Sequence, residues 1–183
     1  MLAALCLRAA NVYDFSLISL DGKQTSLKTY QGKVLLIVNV ASRTIYSEQI
    51  EKLETLYRTY RDQGLVVIGI PSNDFGHGEP GDASAVKAYY IGEKHVGFPV
   101  FAKASLAGRD CIPLYEFLTD AKLDAKAGGE LPWNFCKYLI GRDGNPISRF
   151  DTHVQPDSPE LMVAVEAALE QKANSKKAND AGQ

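Results

Sequence analysis

Two apolar runs constrain most of what this chain can become. Residues 34–40 read VLLIVNV and residues 65–70 read LVVIGI, and neither run alternates with polar positions. A strand with one wet face alternates, whereas a continuous branched apolar run belongs inside a sheet covered on both faces. Between the two, Ile50, Leu53, Leu56 and Tyr57 recur at helical spacing from Ser47 onward. Glu48, Glu51 and Glu54 come early in that segment and Arg58 and Arg61 late, the charge order a helix dipole favours. Gly64 ends the helix. A buried strand, a helix and a second buried strand therefore form the centre of the chain.

The flanking segments extend the same pattern. Residues 12–20 and 24–27, joined by Asp21-Gly22, predict a hairpin, because Asp-Gly takes the positive φ values that tight turns require. Residues 71–81, PSNDFGHGEPG, form a loop by composition. Asp82 or Ser84 caps a helix reaching Tyr90, residues 98–102 give a short strand, and residues 113–119 a short helix. After a Gly- and Ala-rich connection over 122–132, residues 135–140 and 147–150 form a second hairpin around Asp143-Gly144-Asn145. Residues 158–171 make a last helix with Leu161, Val165, Ala168 and Leu169 inward. The fold class is α/β: a mixed sheet with helices on both faces and an N-terminal β-hairpin.

At 183 residues, 45% hydrophobic and 23% charged, the chain has the material for one globular domain, placed at 12–171. Residues 1–11 read as a flexible N-terminal segment or a signal remnant, and residues 172–183 as a disordered tail. A net charge of -2 gives no field to gather phosphates, so nucleic acid is not an expected partner. No apolar run is long enough to span a bilayer. Cys6, Cys111 and Cys136 are scattered, without a C-x-x-C pair, and read as reduced thiols, which points to the cytoplasm. A signal remnant would instead make the protein exported or periplasmic. His77, His95 and His153 share no ligand spacing, so neither a metal nor a cofactor is expected.

In an open α/β sheet, ligands gather beyond the carboxyl ends of the parallel strands. Residues 39–46 and 72–81 fall there. The first stretch, Asn39-Val40-Ala41-Ser42-Arg43-Thr44-Ile45-Tyr46-Ser47-Glu48-Gln49, resembles the N-V-A-S-K/R-C-G-x-T-x-Q motif of the glutathione peroxidases. The second, Ile70-Pro71-Ser72-Asn73-Asp74-Phe75-Gly76-His77-Gly78-Glu79-Pro80-Gly81, is similar to that family's F-P-C-N-Q-F-G-x-Q-E-P-G. The third, Trp133-Asn134-Phe135-Cys136-Lys137-Tyr138-Leu139, keeps its W-N-F-x-K-F-L almost intact. The resemblance runs from about residue 12 to 171. It implies a thioredoxin-like fold, thiol-dependent reduction of hydroperoxides in the oxidative stress response, and a hydroperoxide and a thiol reductant, glutathione or thioredoxin, as partners. The short 122–132 connection looks like that of the compact, monomeric members.

The resemblance also places the site at Thr44, Asp74, Trp133 and Asn134. Thr44 stands where the family has its peroxidatic Cys or selenocysteine, and Asp74 where it has a Gln. Tyr90 or Ile91 stands where thioredoxin-dependent members carry a resolving Cys. A hydroxyl ionises far less readily than a thiol and has no reversible sulfenic state, so Thr44 cannot run the cycle. A carboxylate at 74 repels a thiolate that an amide would support. Little or no peroxidase turnover is therefore expected. The alternatives are a displaced nucleophile, Cys136 or Cys111, or a non-catalytic ligand- or partner-binding module on the same scaffold. Residues i and i+2 of a strand share a face, so Cys136 follows Asn134 into the pocket or lies in the core, depending on where the strand starts. In its local context alone Thr44 is a cap or loop hydrogen-bonder, Asp74 a loop acid or Asx turn, and His77 a solvated loop residue.

Overall fold

The computed structural model describes residues 11–120, 122 and 127–171. The stretch 1–10 with Cys6, the tail 172–183, and residues 121 and 123–126 of the connection lie outside the described residues, and with them most of the expectations for the two ends.

Four strands form the main sheet in the order β4-β3-β5-β6. Strand β3 (Val34–Val40) pairs in parallel with β4 (Leu65–Pro71) and antiparallel with β5 (Lys137–Ile140), which pairs antiparallel with β6 (Pro146–Phe150). All seven residues of β3 are buried, as its unbroken apolar run requires. Alternate side chains enter opposite layers. Val34, Leu36 and Val38 meet Ile50 and Leu53 of α1 (Gln49–Tyr60) and Leu161 and Val165 of α4 (Pro159–Glu170). Leu35 and Ile37 meet Leu114, Tyr115 and Leu118 of α3 (Pro113–Thr119). Helices thus cover both faces. Truncating such a side chain to Ala costs about 2–5 kcal/mol, because the surrounding core closes only partly over the gap.

The N-terminal hairpin is present but shorter than the sequence suggests: β1 (Ser16–Ile18) pairs with β2 (Gln24–Ser26). Residues 12–14 form a 3-10 turn instead of strand. Asn11 accepts the Tyr13 N–H and Asp14 accepts the Asn11 N–H, a reciprocal cap that favours the turn. Asp82 caps α2 (Ala83–Lys87) by accepting the Ala85 N–H at 2.9 Å, and the helix widens to a π turn over Ala88–Glu93. The strand expected at 98–102 is reduced to single bridges at Val100 and Phe101, since Pro99 has no N–H to offer a ladder. Strand β5 starts at Lys137 rather than 135, because Phe135 sits at a φ of 60 and turns the preceding residues out of the sheet. Among the described residues no helix is long and apolar enough to cross a membrane.

Candidate active site

Three segments converge beyond the carboxyl ends of β3 and β4, and main-chain groups tie them together. The Asn39 side-chain amide donates to Trp133 O at 2.9 Å, and the Phe135 N–H donates to Asn39 O at 2.7 Å. The Arg43 N–H donates to Gly78 O at 2.8 Å, and Asn134 Nδ2 donates to Phe75 O at 2.8 Å. Between them opens a cavity of about 430 Å³ lined by Thr44, Ile45, Tyr46, Phe75, Trp133 and Asn134, with Arg43 at its edge.

The structure therefore brings Thr44, Trp133 and Asn134 together. Thr44 is half-buried; its Oγ1 accepts the Tyr46 N–H at 3.3 Å and its carbonyl accepts the Ser47 N–H at 3.1 Å. The residue shapes the turn leading into α1 and offers the cavity a hydroxyl. Trp133 is 42% exposed, and its indole lies against Gly76. A Cβ on Gly76 would stand 2.8 Å from Trp133 Cζ2, and φ there is +64, so both space and backbone call for glycine. Asn134 is buried, and its Oδ1 has no hydrogen-bond partner among the described residues.

Asp74 is set apart from these three. Its Oδ2 accepts the Leu106 N–H at 2.6 Å and the hydroxyls of Ser105 and Ser72 at 3.2 and 3.0 Å. Three donors, one from its own loop and two from residues 105–106, hold this carboxylate, and Asp74 is not among the residues lining the Thr44 cavity. Its bond to Ser72 fits the local reading of Asp74 as a loop acid.

Neither cysteine among the described residues supplies a substitute nucleophile at the cavity. Cys136 is fully buried, its Sγ lies 4.0 Å from Asp151 Oδ1, and burial followed by that carboxylate pushes its thiol pKa up. Cys111 lines a different cavity with Leu106, Gly108 and Glu116; burial first, then Glu116 and Asp74, push its thiol up as well. Both shifts disfavour the thiolate. His77 is exposed at a φ of 54, and Asn73 Nδ2 lies 3.4 Å from its Nδ1. No group of three or more His, Cys, Asp or Glu among the described residues is placed to hold a metal ion.

Sequence reasoning missed a buried carboxylate behind the cavity. Glu79, 2% exposed, accepts the Ser42 N–H at 2.9 Å, the Ser42 hydroxyl at 2.6 Å and the Tyr90 hydroxyl at 2.8 Å. Burial and then Glu79 raise the Tyr90 pKa well above its ordinary value, so the phenol remains a donor. The signal was a lone acid amid Gly and Pro at 76–81, which gives no hint of burial until the loop is closed. Gln49 has a comparable role, donating through Nε2 to Thr152 O at 2.8 Å, while the Thr152 hydroxyl donates to Asn134 O at 2.7 Å.

A glutathione peroxidase family profile matches residues 12–119. The chain is 40% identical over 152 residues to a glutathione peroxidase of Lactococcus lactis subsp. cremoris, covering 82% of this chain and 95% of that one. It is 37% identical over 163 residues to a hydroperoxy fatty acid reductase of Synechocystis sp., covering 86% and 95%. The crystal structure of Trgpx in apo form superposes with a TM-score of 0.73 at 31% identity, over 90% of this chain and 99% of that one. More distant thioredoxin-family structures share the thioredoxin-like fold alone.

Proposed function

The chain belongs to the glutathione peroxidase family, and from that premise we propose that it has little or no peroxide turnover of its own and keeps the family cleft as a binding site. The observation that carries this reading is the Thr44 Oγ1 at the reacting position, holding the Tyr46 N–H, with no sulfur among the described residues lining the same cavity. Splitting a weak O–O bond needs a soft nucleophile that takes up oxygen as a sulfenic acid, which a thiol then converts to a disulfide with loss of water. A threonine hydroxyl ionises too rarely at neutral pH and has no such oxidation state. Thr44 suffices for this without Asp74, whose carboxylate accepts from Leu106, Ser105 and Ser72.

Two features favour a retained cleft. The bonds from Asn39 to Trp133 O and from Asn134 to Phe75 O hold the walls of the cleft together. Ile45, 85% exposed, and Trp133 give the mouth an apolar rim suited to an acyl hydroperoxide of the kind named for the Synechocystis relative. The family's hydroperoxide and thiol, glutathione or thioredoxin, are the ligands this reading expects. It also makes the protein a cytoplasmic monomer with one domain at 12–171; the unpaired thiols Cys111 and Cys136 favour that location.

Stopped-flow consumption of hydrogen peroxide with glutathione and with thioredoxin tests the reading. Wild type is expected at the uncatalysed rate, and Thr44→Cys is expected to consume peroxide and to yield a sulfenic acid trapped on residue 44. Rapid turnover by wild type overturns the loss of activity. An inert, folded Thr44→Cys overturns the retained cleft.

A further inference from the structure

Next to the Thr44 cavity, and sharing Tyr46 and Trp133 with it, lies a second cavity of about 290 Å³ lined by Tyr46, Pro132, Trp133, Asp151, Thr152 and His153. We propose that this second cavity binds a small organic ammonium group, held between the Trp133 and Tyr46 rings and the Asp151 carboxylate.

The chemistry of the lining carries the assignment. Aromatic faces are electron-rich and attract a cation placed over them, Trp most strongly. Trp133 is fixed on one side by its contact with Gly76. The Tyr46 ring packs T-shaped with His153, with centroids 5.7 Å apart and planes at 77°. Asp151 is the one carboxylate lining the cavity, and no Lys or Arg lines it.

The local bonding leaves one oxygen of that carboxylate available. Arg149 Nε is ion-paired with Asp151 Oδ1 at 3.5 Å, and Cys136 Sγ lies 4.0 Å from the same oxygen. Asp151 Oδ2 has no partner among the described residues. The Arg149 guanidinium is drawn the other way, since its Nη1 donates to the carbonyls of Gly128, Gly129 and Glu130. An anion finds little here: the Thr152 hydroxyl is committed to Asn134 O. The neighbouring cavity has the opposite sign, with Arg43 as its charged residue. A quaternary or a primary ammonium both fit the wall, and they are separable by assay.

Trp133 is the single tryptophan of the chain, so its fluorescence reports on this site directly. The full chain is titrated at about pH 8 with choline, with ethanolamine and with the uncharged choline isostere 3,3-dimethylbutan-1-ol, at constant ionic strength. Saturable binding of choline or ethanolamine is expected, the tighter of the two naming the quaternary or the primary class, with no saturation by the isostere. Asp151→Asn, folded by its urea midpoint, is expected to weaken the cation by roughly fivefold or more, and Tyr46→Leu to weaken it as well. Equal binding of the isostere, unchanged affinity in Asp151→Asn, or no saturable signal from either cation up to about 100 mM overturns the proposal. The result is independent of whether position 44 turns over peroxide, because wild type is used and no reaction is read.

Discussion

Lys137 offers the sharpest test of how this core is balanced. It is fully buried, donates to Val154 O at 2.6 Å, and is pulled from an ordinary lysine value of 10.5 down to about 8, burial being the main cause. The nearby Cys136 and Asp151 act in the opposite direction and are outweighed. Below the folded value both states hold the proton, and the folded chain bears the full cost of an ammonium removed from water. At about 1.4 kcal/mol per tenfold change in proton affinity, that cost is about 3 kcal/mol. Between about pH 8 and 10.5 the unfolded chain binds more protons than the folded one, so this residue's contribution to stability rises with pH. Between about pH 7.5 and about pH 9.5 the gain is about 2 kcal/mol. Other groups move the other way: the thiols of Cys111 and Cys136 and the phenols of Tyr115 and Tyr138 are pushed up by burial, so their ionisation at high pH favours the unfolded chain. Comparison with Lys137→Met cancels most of that background. Urea unfolding of both proteins across this pH range is expected to show the wild-type stability climbing by about 2 kcal/mol relative to the variant. Parallel stability curves would refute the claim that desolvation governs this ammonium.

Two further substitutions probe the ends of the sheet. Arg142 donates to the carbonyls of Gly32, Leu169, Gln63 and Gln171 at 2.9, 2.9, 3.1 and 3.1 Å, so Arg142→Met is expected to lower unfolding free energy by about 2–4 kcal/mol; a urea midpoint unmoved by the change contradicts this. Tyr90→Phe removes one of three donors from buried Glu79 and is expected to cost about 1.5–3 kcal/mol, with faster amide exchange at Ser42. Unchanged exchange there means Glu79 does not couple the helix to the loop.

The parts of the fold legible in sequence were those set by local rules. The unbroken run at Val34–Val40 and the charge order of α1 are properties of a few consecutive residues, and Pro113 at the first position of α3 set its bounds to the residue. What stayed illegible depended on contacts between distant segments. The partners of Asp74, the Ser105 hydroxyl and the Leu106 N–H, lie some thirty residues away and show only once those loops meet. Glu79 reads like a loop acid until Ser42 and Tyr90 close over it. The face taken by Cys136 hinged on one dihedral, the left-handed turn at Phe135, which no pattern of apolar residues encodes. The meeting of Thr44, Trp133 and Asn134 was implied by resemblance, while the ring of Tyr46, Asp151 and His153 beside them emerges only once β6 is paired to β5.

The bonds that frame the cleft run from Asn39 to Trp133 and Phe135, from Arg43 to Gly78 and from Asn134 to Phe75, and none involves the side chain at position 44. Exchanging that side chain changes reactivity and leaves the contour intact. A lineage can therefore abandon a reaction without passing through a misshapen intermediate. A hollow framed in this way keeps its shape for whatever molecule fits it.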